Sequence, residues 1–439
     1  MKKLICLLMI VVMTISLCAT NINVSANEIS KINLVDIADK VKILSRAAIT
    51  EQGVEADFAG GGFAVSLNCE GNVSLNLDWS GNVGMFTVII NDDVENAKNY
   101  KISAEGEHSI TIGENLEKDD YTFEIIKANS QYNQIVFKSL SFTGTVNEKP
   151  GMKKLKLEFY GDSFSCGVGA FPGNNGILGY QDSAIHSYNF NCARYLDAEI
   201  KTCAIPGYGY AAGYASRENT IYPYIDKALF HKDVKYDNSQ YIADIVVIAL
   251  GTNDYNYIRG HEDIIEDEEI DAVVQKYIDT IRSYNKDCYI LLLGNIGNGS
   301  FNVGNRVGNH YIKLDNALIR AAGTNEKTLY YTQIGMSYTG VNYHPKASEA
   351  ERGGKLVAEF IKENFLSGKP LPPVVSDSDF YLNCDVNKDD RINTIDVLSM
   401  RNYLSKKQFR IEEKYADVNR DGKVGMQDTL RILKYLAQL

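Results

Sequence analysis

The sequence predicts three folded modules in one chain: an antiparallel, jelly-roll-like β-sandwich, a three-layer α/β domain with a parallel sheet, and a small α-helical module. Three observations carry this division. Short alternating runs of apolar and polar residues fill the chain up to Val146, and alternation of period two marks strands with one buried face. From Lys153 the runs become unbroken and apolar, with helical stretches between them, as in a parallel sheet covered on both sides. After Phe365 a segment with Pro and Ser leads into an internal duplication. The chain has 439 residues, 45% of them hydrophobic, which is too long for one compact core and apolar enough for several.

In chain order, residues 1–26 read as a secretory signal peptide. Lys2 and Lys3 precede the apolar run from Leu4 to Leu17, and Val24-Ser25-Ala26 offers a small-residue cleavage site. Cys18 leaves a lipoprotein reading open, although Leu17 is large for that signal. No other stretch is long and apolar enough to span a bilayer. The sandwich is expected over 28–148, with strands "FAVSLNC", "VSLNLDW", "MFTVIIN", "HSITI", "YTFEIIKA" and "QIVFKSLSF". Trp79, the only Trp, is expected in its core. The α/β domain is expected over 151–366. Its strands are "LKLEFY", "EIKTCAI", "DIVVIAL" and "CYILLLG". Its helices fall near Ser187–Leu196, Tyr222–Leu229, Ile270–Tyr284, Tyr311–Ala322 and Lys346–Phe365. A linker follows at 367–379 and the last module at 380–439.

Net charge is −11, which disfavours nucleic acid and anionic lipid, since both need Lys and Arg. A neutral substrate is the expectation. Tyr is abundant at 28 residues; exposed rings suit sugars, and core packing is the plainer use. The six cysteines beyond the leader are scattered, with no CxxC pair, and read as mostly buried thiols.

Three segments of the α/β domain carry chemistry. "LKLEFY" runs into Gly161-Asp162-Ser163, a turn that lifts a serine off the end of a strand. "DIVVIAL" runs into Gly251-Thr252-Asn253-Asp254, which puts an amide at the carboxyl end of a buried strand, where functional loops gather. Far downstream His344 precedes Pro345, a residue favoured in a first helical turn, so His344 sits in a loop entering the last helix.

"GDSFS", "GTND" and "HP", in this order, resemble the blocks of the SGNH, or GDSL, hydrolases. The preceding β-sandwich and "PGYGY" at Pro206–Tyr210 narrow the resemblance to carbohydrate esterase family 2, which removes acetyl groups from plant polysaccharides. The resemblance implies Ser163 as nucleophile and His344 as general base. It implies an oxyanion hole from the N–H groups of Ser163 and Gly207 and the side chain of Asn253, with Gly209 as the fallback to Gly207. It implies no catalytic cofactor. The acid that often precedes the histidine is missing: Val341 and Asn342 stand there. A Ser–His dyad is expected, its ring oriented by a backbone carbonyl, by the Asn342 amide oxygen or by a distant acid. Tyr343, Tyr208 and Tyr255 flank these residues and are candidate substrate-binding rings.

The duplication begins at Asp385 ("DVNKDDRINTID") and again at Asp417 ("DVNRDGKVGMQD"). Calcium loops of about twelve residues take oxygen ligands at positions 1, 3, 5, 7, 9 and 12. The first repeat supplies Asp385, Asn387, Asp389, the Arg391 carbonyl, Asn393 and Asp396. The second supplies Asp417, Asn419, Asp421, the Lys423 carbonyl and Asp428, with a water expected at Gly425. The pair resembles a type I dockerin, which implies structural calcium and a cohesin module of a scaffoldin as partner. The expected whole is a secreted, cellulosome-associated acetyl esterase acting on xylan or glucomannan by a Ser–His mechanism, with no nucleic-acid or membrane partner. A general lipase or aryl esterase of the same lineage, and a glycan-binding protein with a vestigial site, remain alternatives.

Overall fold

The computed structural model describes residues 29–371, apart from 82, 131–132, 174–179, 261–264, 295–296, 299–308, 332–333 and 335. In the tail it describes 386–387, 393–406, 411, 416, 418 and 424–437. The expected signal peptide and most of the expected linker lie outside the described residues. No helix among them is long and apolar enough to cross a membrane.

The N-terminal module is one nine-stranded antiparallel sheet rather than two separately hydrogen-bonded layers. Its strands are β1 (Ser30–Asn33), β2 (Lys42–Leu44), β3 (Ala48–Thr50), β4 (Gly53–Ala56), β5 (Gly62–Gly81), β6 (Gly84–Ile90), β7 (Lys98–Ile102), β8 (Gly106–Lys127) and β9 (Asn133–Val146). "FAVSLNC" and "VSLNLDW" are two halves of the 20-residue β5, and "HSITI" and "YTFEIIKA" share the 22-residue β8. What reads as a break in the sequence is a bend. The β5–β8 register shifts on both sides of Gly71, which adopts φ +74°, a conformation open to glycine; such bulges bend strands without ending their pairing. Phe63, Val65 and Leu67 from one half of β5 and Val73, Leu75 and Trp79 from the other share one buried cluster. The sheet thus folds over a sandwich-like core, and Trp79 is within it, 1% exposed.

The second module holds β10 (Leu155–Gly161), β11 (Ala198–Ala204), β12 (Ile245–Ala249), β13 (Tyr289–Leu293) and β15 (Thr328–Tyr331), all parallel, in the order β11-β10-β12-β13-β15. A small ladder joins β14 (Gly297–Asn298) to β16 (Met336–Ser337). The helices are α1 (Tyr188–Tyr195), α2 (Thr252–Gly260), α3 (Asp267–Tyr284), α4 (Asn309–Thr324) and α5 (Ala347–Asn364). The unbroken apolar strands are explained by two cores. Val246 and Ile248 of β12 face one, whereas Ile245 and Val247 face the other. β10, first in the chain, lies between β11 and β12, so the winding reverses there. In open parallel sheets, loops after the strands on either side of such a reversal diverge and leave a crevice at their carboxyl ends.

One predicted helix is absent. Tyr222–Leu229 holds only a 3-10 turn at Tyr222–Tyr224, with Pro223 inside it. Its apolar residues are buried against both modules instead: Ile225 lies in the α/β core, and Ala228 and Leu229 pack with Ala48 of the sheet domain. Helix α2 and strand β15 were not separated by the sequence pattern.

The two modules are locked by Arg46, which is 0% exposed. Its Nη2 donates to Glu158 Oε1 on β10 at 2.7 Å, and its Nη1 donates to the carbonyls of Ile225 (2.9 Å) and Lys227 (3.2 Å). The guanidinium lies 3.7 Å from the centre of the Tyr236 ring. The five described cysteines, Cys69, Cys166, Cys192, Cys203 and Cys288, are buried free thiols.

Candidate active site

Strand β10 ends in a turn only glycine permits. A Cβ on Gly161 would lie 2.0 Å from Ser165 Oγ. Asp162 then closes the turn: its Oδ1 accepts the Phe164 N–H at 3.0 Å, and its carbonyl accepts those of Ser165 (3.0 Å) and Cys166 (3.1 Å). Ser163 is left at the tip, 8% exposed. Burial pushes the Asp162 carboxyl up to about 7, the Phe164 N–H opposing this and the Asp254 charge adding to it.

His344 follows a short turn at Val341–Tyr343 in which Asn342 (φ 54°) and Tyr343 (φ 59°) are both left-handed. This sends the chain back on itself, and the Asn342 carbonyl lies 2.7 Å from His344 Nδ1. A carbonyl has no proton to give, so Nδ1 carries the hydrogen and donates it. Nε2 is thereby an acceptor, and it lies 2.7 Å from Ser163 Oγ. The loops that carry the two residues interlock. Ala347 N–H donates to Ala170 O at 3.0 Å, a Cβ on Gly169 would lie 2.5 Å from Val341 O, and one on Gly340 would lie 2.5 Å from Gly169 O. Of the three orienting groups left open by the sequence, the one in contact is the backbone carbonyl. Asn342→Gly is therefore expected to keep most of the activity, since glycine preserves both the left-handed turn and the carbonyl. A loss in kcat as deep as that of His344→Ala would assign the role to the amide side chain.

Burial lowers the His344 pKa, with the bond to Asn342 pulling the other way. Burial disfavours the imidazolium, so the neutral form persists to lower pH than for a free histidine. The acid limb of kcat/KM against pH is expected to have its midpoint below 6.5, the ordinary histidine value. A midpoint above that value would contradict this placement.

The third side of the crevice is built by the loops after β11 and β12. Gly207 has φ +82°, yet a Cβ there would meet nothing. Its left-handed conformation is what calls for glycine there. The N–H groups of Ser163 and Gly207 donate to no acceptor among the described residues. Gly209 donates its N–H to Asn219 O at 3.1 Å, so the fallback donor is engaged. The Asn253 side chain, expected as a free donor, is also engaged: Nδ2 donates to Tyr208 O at 2.8 Å and to Asp162 Oδ2 at 3.3 Å. Asp254, which the sequence reading gave no role, organises this region. Its carboxylate is 3% exposed and accepts the N–H groups of Tyr210 (2.9 Å), Ala211 (2.7 Å) and Ala212 (2.9 Å). Its place beside Asn253 in "GTND" was the available signal.

Residues 159–345, which span the serine turn and the histidine, match the GDSL-like Lipase/Acylhydrolase family. The chain carries a GDSL-like acylhydrolase domain. Residues 383–437 match the Dockerin type I domain. The chain is similar to the cellulase/esterase CelE of Acetivibrio thermocellus, 28% identical over 35% of this chain and 18% of the relative. It is also similar to an acetylxylan esterase / glucomannan deacetylase of Cellvibrio japonicus, 23% identical over 48% of this chain and 60% of the relative. It therefore spans less than two thirds of either. The fold is that of a family two carbohydrate esterase from Cellvibrio japonicus, with TM-score 0.66 and 17% identity over 76% of this chain and 98% of the other.

The tyrosines around the acylhydrolase site divide sharply. Tyr343, beside His344, is 83% exposed. Tyr208 is half-buried, its ring edge-on to Tyr224 and Phe230. Tyr255 is only 8% exposed, because it lies on the inward side of α2; it presents no open face for a sugar. Tyr214, passed over in the sequence, is 64% exposed, and its N–H donates to Gly207 O at 2.8 Å.

In the dockerin, Asp385, Asp389, Arg391, Asp417, Asn419, Asp421 and Lys423 lie outside the described residues. Asn387, Asn393, Asp396 and Asp428 lie within them. Asp396 and Asp428 are the third residues of α6 (Thr394–Leu404) and α7 (Met426–Ala437), and both are fully buried. Each reaches back to its loop, Asp396 accepting the Asn393 N–H at 2.8 Å and Asp428 the Gly425 N–H at 2.7 Å. Two buried carboxylates at matching places fit a bound cation, which would offset their desolvation. Asn393 Oδ1 accepts the Ile395 N–H at 2.7 Å and caps α6, so that oxygen already has a backbone partner. Among the described residues no three His, Cys, Asp or Glu side chains gather as a metal site.

Proposed function

We propose that this protein is a secreted, cellulosome-associated esterase that removes O-acetyl groups from hemicellulose such as xylan or glucomannan. The observation that carries the reading is the relay from Asn342 O through His344 to Ser163, each link 2.7 Å. Ser163 Oγ attacks the acetyl carbonyl while Nε2 takes its proton. The tetrahedral oxyanion is met by the N–H groups of Ser163 and Gly207. Asn253 turns to it the hydrogen now shared with Asp162, its longer and weaker bond. His344 then returns the proton to the sugar oxygen, and the acetyl group stays on Ser163. In the second half His344 activates a water, which releases acetate. A carbonyl orients the ring but stabilises imidazolium less than a carboxylate does.

Tyr343 and Tyr214 have the exposed faces that stack on sugar rings, and Tyr208 backs the site from within. Calcium held by the two dockerin loops would fold the tail, since the ligand charges repel without it. The tail's exposed apolar residues, Ile395, Leu398, Met426 and Leu430, suit a cohesin face. Acetate release from acetylated xylan tests the reading. The wild type is expected to release it and Ser163→Ala is not. Release from p-nitrophenyl acetate alone would favour the aryl-esterase reading, and binding without any release the vestigial-site reading.

A further inference from the structure

The loop that carries Gly207 runs on to residue 231, and its far end is gripped by the sheet domain. Asp57, between β4 and β5, is 2% exposed. Both its oxygens accept the Phe230 N–H (2.8 and 2.9 Å), and Oδ2 also accepts the His231 N–H at 2.9 Å and lies 3.3 Å from His231 Nδ1. The next residue, Phe58, is wholly buried in the acylhydrolase core with Ile205, Tyr210 and Leu250, and meets the Phe230 ring edge-on at 6.2 Å. Phe230 meets Tyr208 edge-on at 6.3 Å. Tyr208 follows Gly207 directly, and its carbonyl holds Asn253 Nδ2 at 2.8 Å. On the other flank Ala59 packs with Cys166 and Val168 of the serine turn and with Ala204 at the end of β11. Three consecutive residues of the sheet domain thus lie behind both halves of the site.

We infer that Asp57 is a positioning residue for the reaction: the sheet domain, through Asp57 and Phe230, sets the place of the Tyr208 carbonyl and so of the Gly207 and Asn253 donors. Asp57 touches no reacting atom. It gathers two backbone N–H groups of a segment without regular structure, which would otherwise need other partners. That fixes the Phe230 ring against Tyr208. Donors of developing charge act only when held in place beforehand, and a displacement of about 1 Å costs about 10²-fold in rate. Arg46, which binds the Ile225 and Lys227 carbonyls, holds the same segment a turn earlier. The sheet domain is accordingly part of the catalytic unit and not only a neighbour of it. This rests on the oxyanion role proposed above for Gly207 and Asn253.

The test is steady-state kinetics on a small acetate ester and on acetylated xylan, with thermal midpoints measured in parallel. Asp57→Ala is expected to lower kcat by about 10²-fold with KM little changed, and Asp57→Asn, which keeps one acceptor oxygen, to fall between. A small phosphonate that mimics the tetrahedral charge should bind more weakly in proportion to the fall in kcat. Leu75→Ala, in the sheet core away from the site, should lower the thermal midpoint and leave kcat unchanged below it. If Asp57→Ala does not fold, Asp57→Asn and Phe230→Leu decide the matter on the same readouts. An active wild type with unchanged kcat in the Asp57 variants overturns the inference alone, as does an equal fall in Leu75→Ala. A wild type that releases no acetate from either substrate overturns the functional reading beneath it.

Discussion

Replacing His344 with alanine is expected to lower kcat for acetate release by about 10⁴- to 10⁶-fold, with KM little changed. The size follows from the geometry. A serine hydroxyl is a weak nucleophile until a base takes its proton in the transition state. Among the described residues the ring nitrogen placed for this is His344 Nε2, 2.7 Å from Ser163 Oγ. The nearest buried carboxylate in sequence, Asp162, is turned to the Phe164 N–H and to Asn253, and cannot stand in for the imidazole. Ser163→Ala should cost as much, and the double variant no more, because the two residues perform one step. What remains in either case is the contribution of the N–H donors. Rates within tenfold of wild type in His344→Ala would remove the imidazole from the mechanism.

Arg46→Ala is expected to destabilise the protein by about 3–5 kcal/mol, the usual result of removing one partner from a buried ion pair. Arg46 and Glu158 are 0% and 1% exposed at their side chains, so neither charge has water as an alternative. Alanine would strand Glu158 in the core and release two carbonyls of the 225–227 segment. It would also remove a cation from the face of Tyr236. Because the pair joins β10 to the sheet domain, the loss should appear as early separation of the two modules. Denaturant unfolding followed by tyrosine fluorescence and by far-UV dichroism measures it. A Glu158→Gln change added to Arg46→Ala should recover part of the loss, since it removes the stranded charge. A shift below about 1 kcal/mol in Arg46→Ala would place the pair among the weak ones.

The division between alternating strands and unbroken apolar strands was legible because period two and continuous burial leave different traces. Ser163 and His344 were legible because each stands at the end of an element with turn chemistry beside it. The bend in β5 was not legible: Glu70-Gly71-Asn72 reads as a turn, and only the cross-strand register reveals that pairing continues. The missing helix at 222–229 failed for a similar reason. Its apolar residues are buried, but by partners from two modules, which periodicity within one segment cannot reveal. The state of Asn253 depends on Tyr208 O and Asp162, residues distant in sequence. Tyr343 and Tyr255 looked alike beside their motifs and differ because one lies on a loop tip and the other on the inner face of a helix. Asp57 carried no signal at all, being one acid in a loop whose partners lie more than a hundred residues on.

The most direct measurement of the central claim is to treat the intact protein with a small organophosphate ester and map the adduct by mass spectrometry. A single adduct on Ser163, formed rapidly in the wild type and very slowly in His344→Ala, is the predicted result. An adduct on another residue, or one on Ser163 that forms as fast without His344, would contradict it.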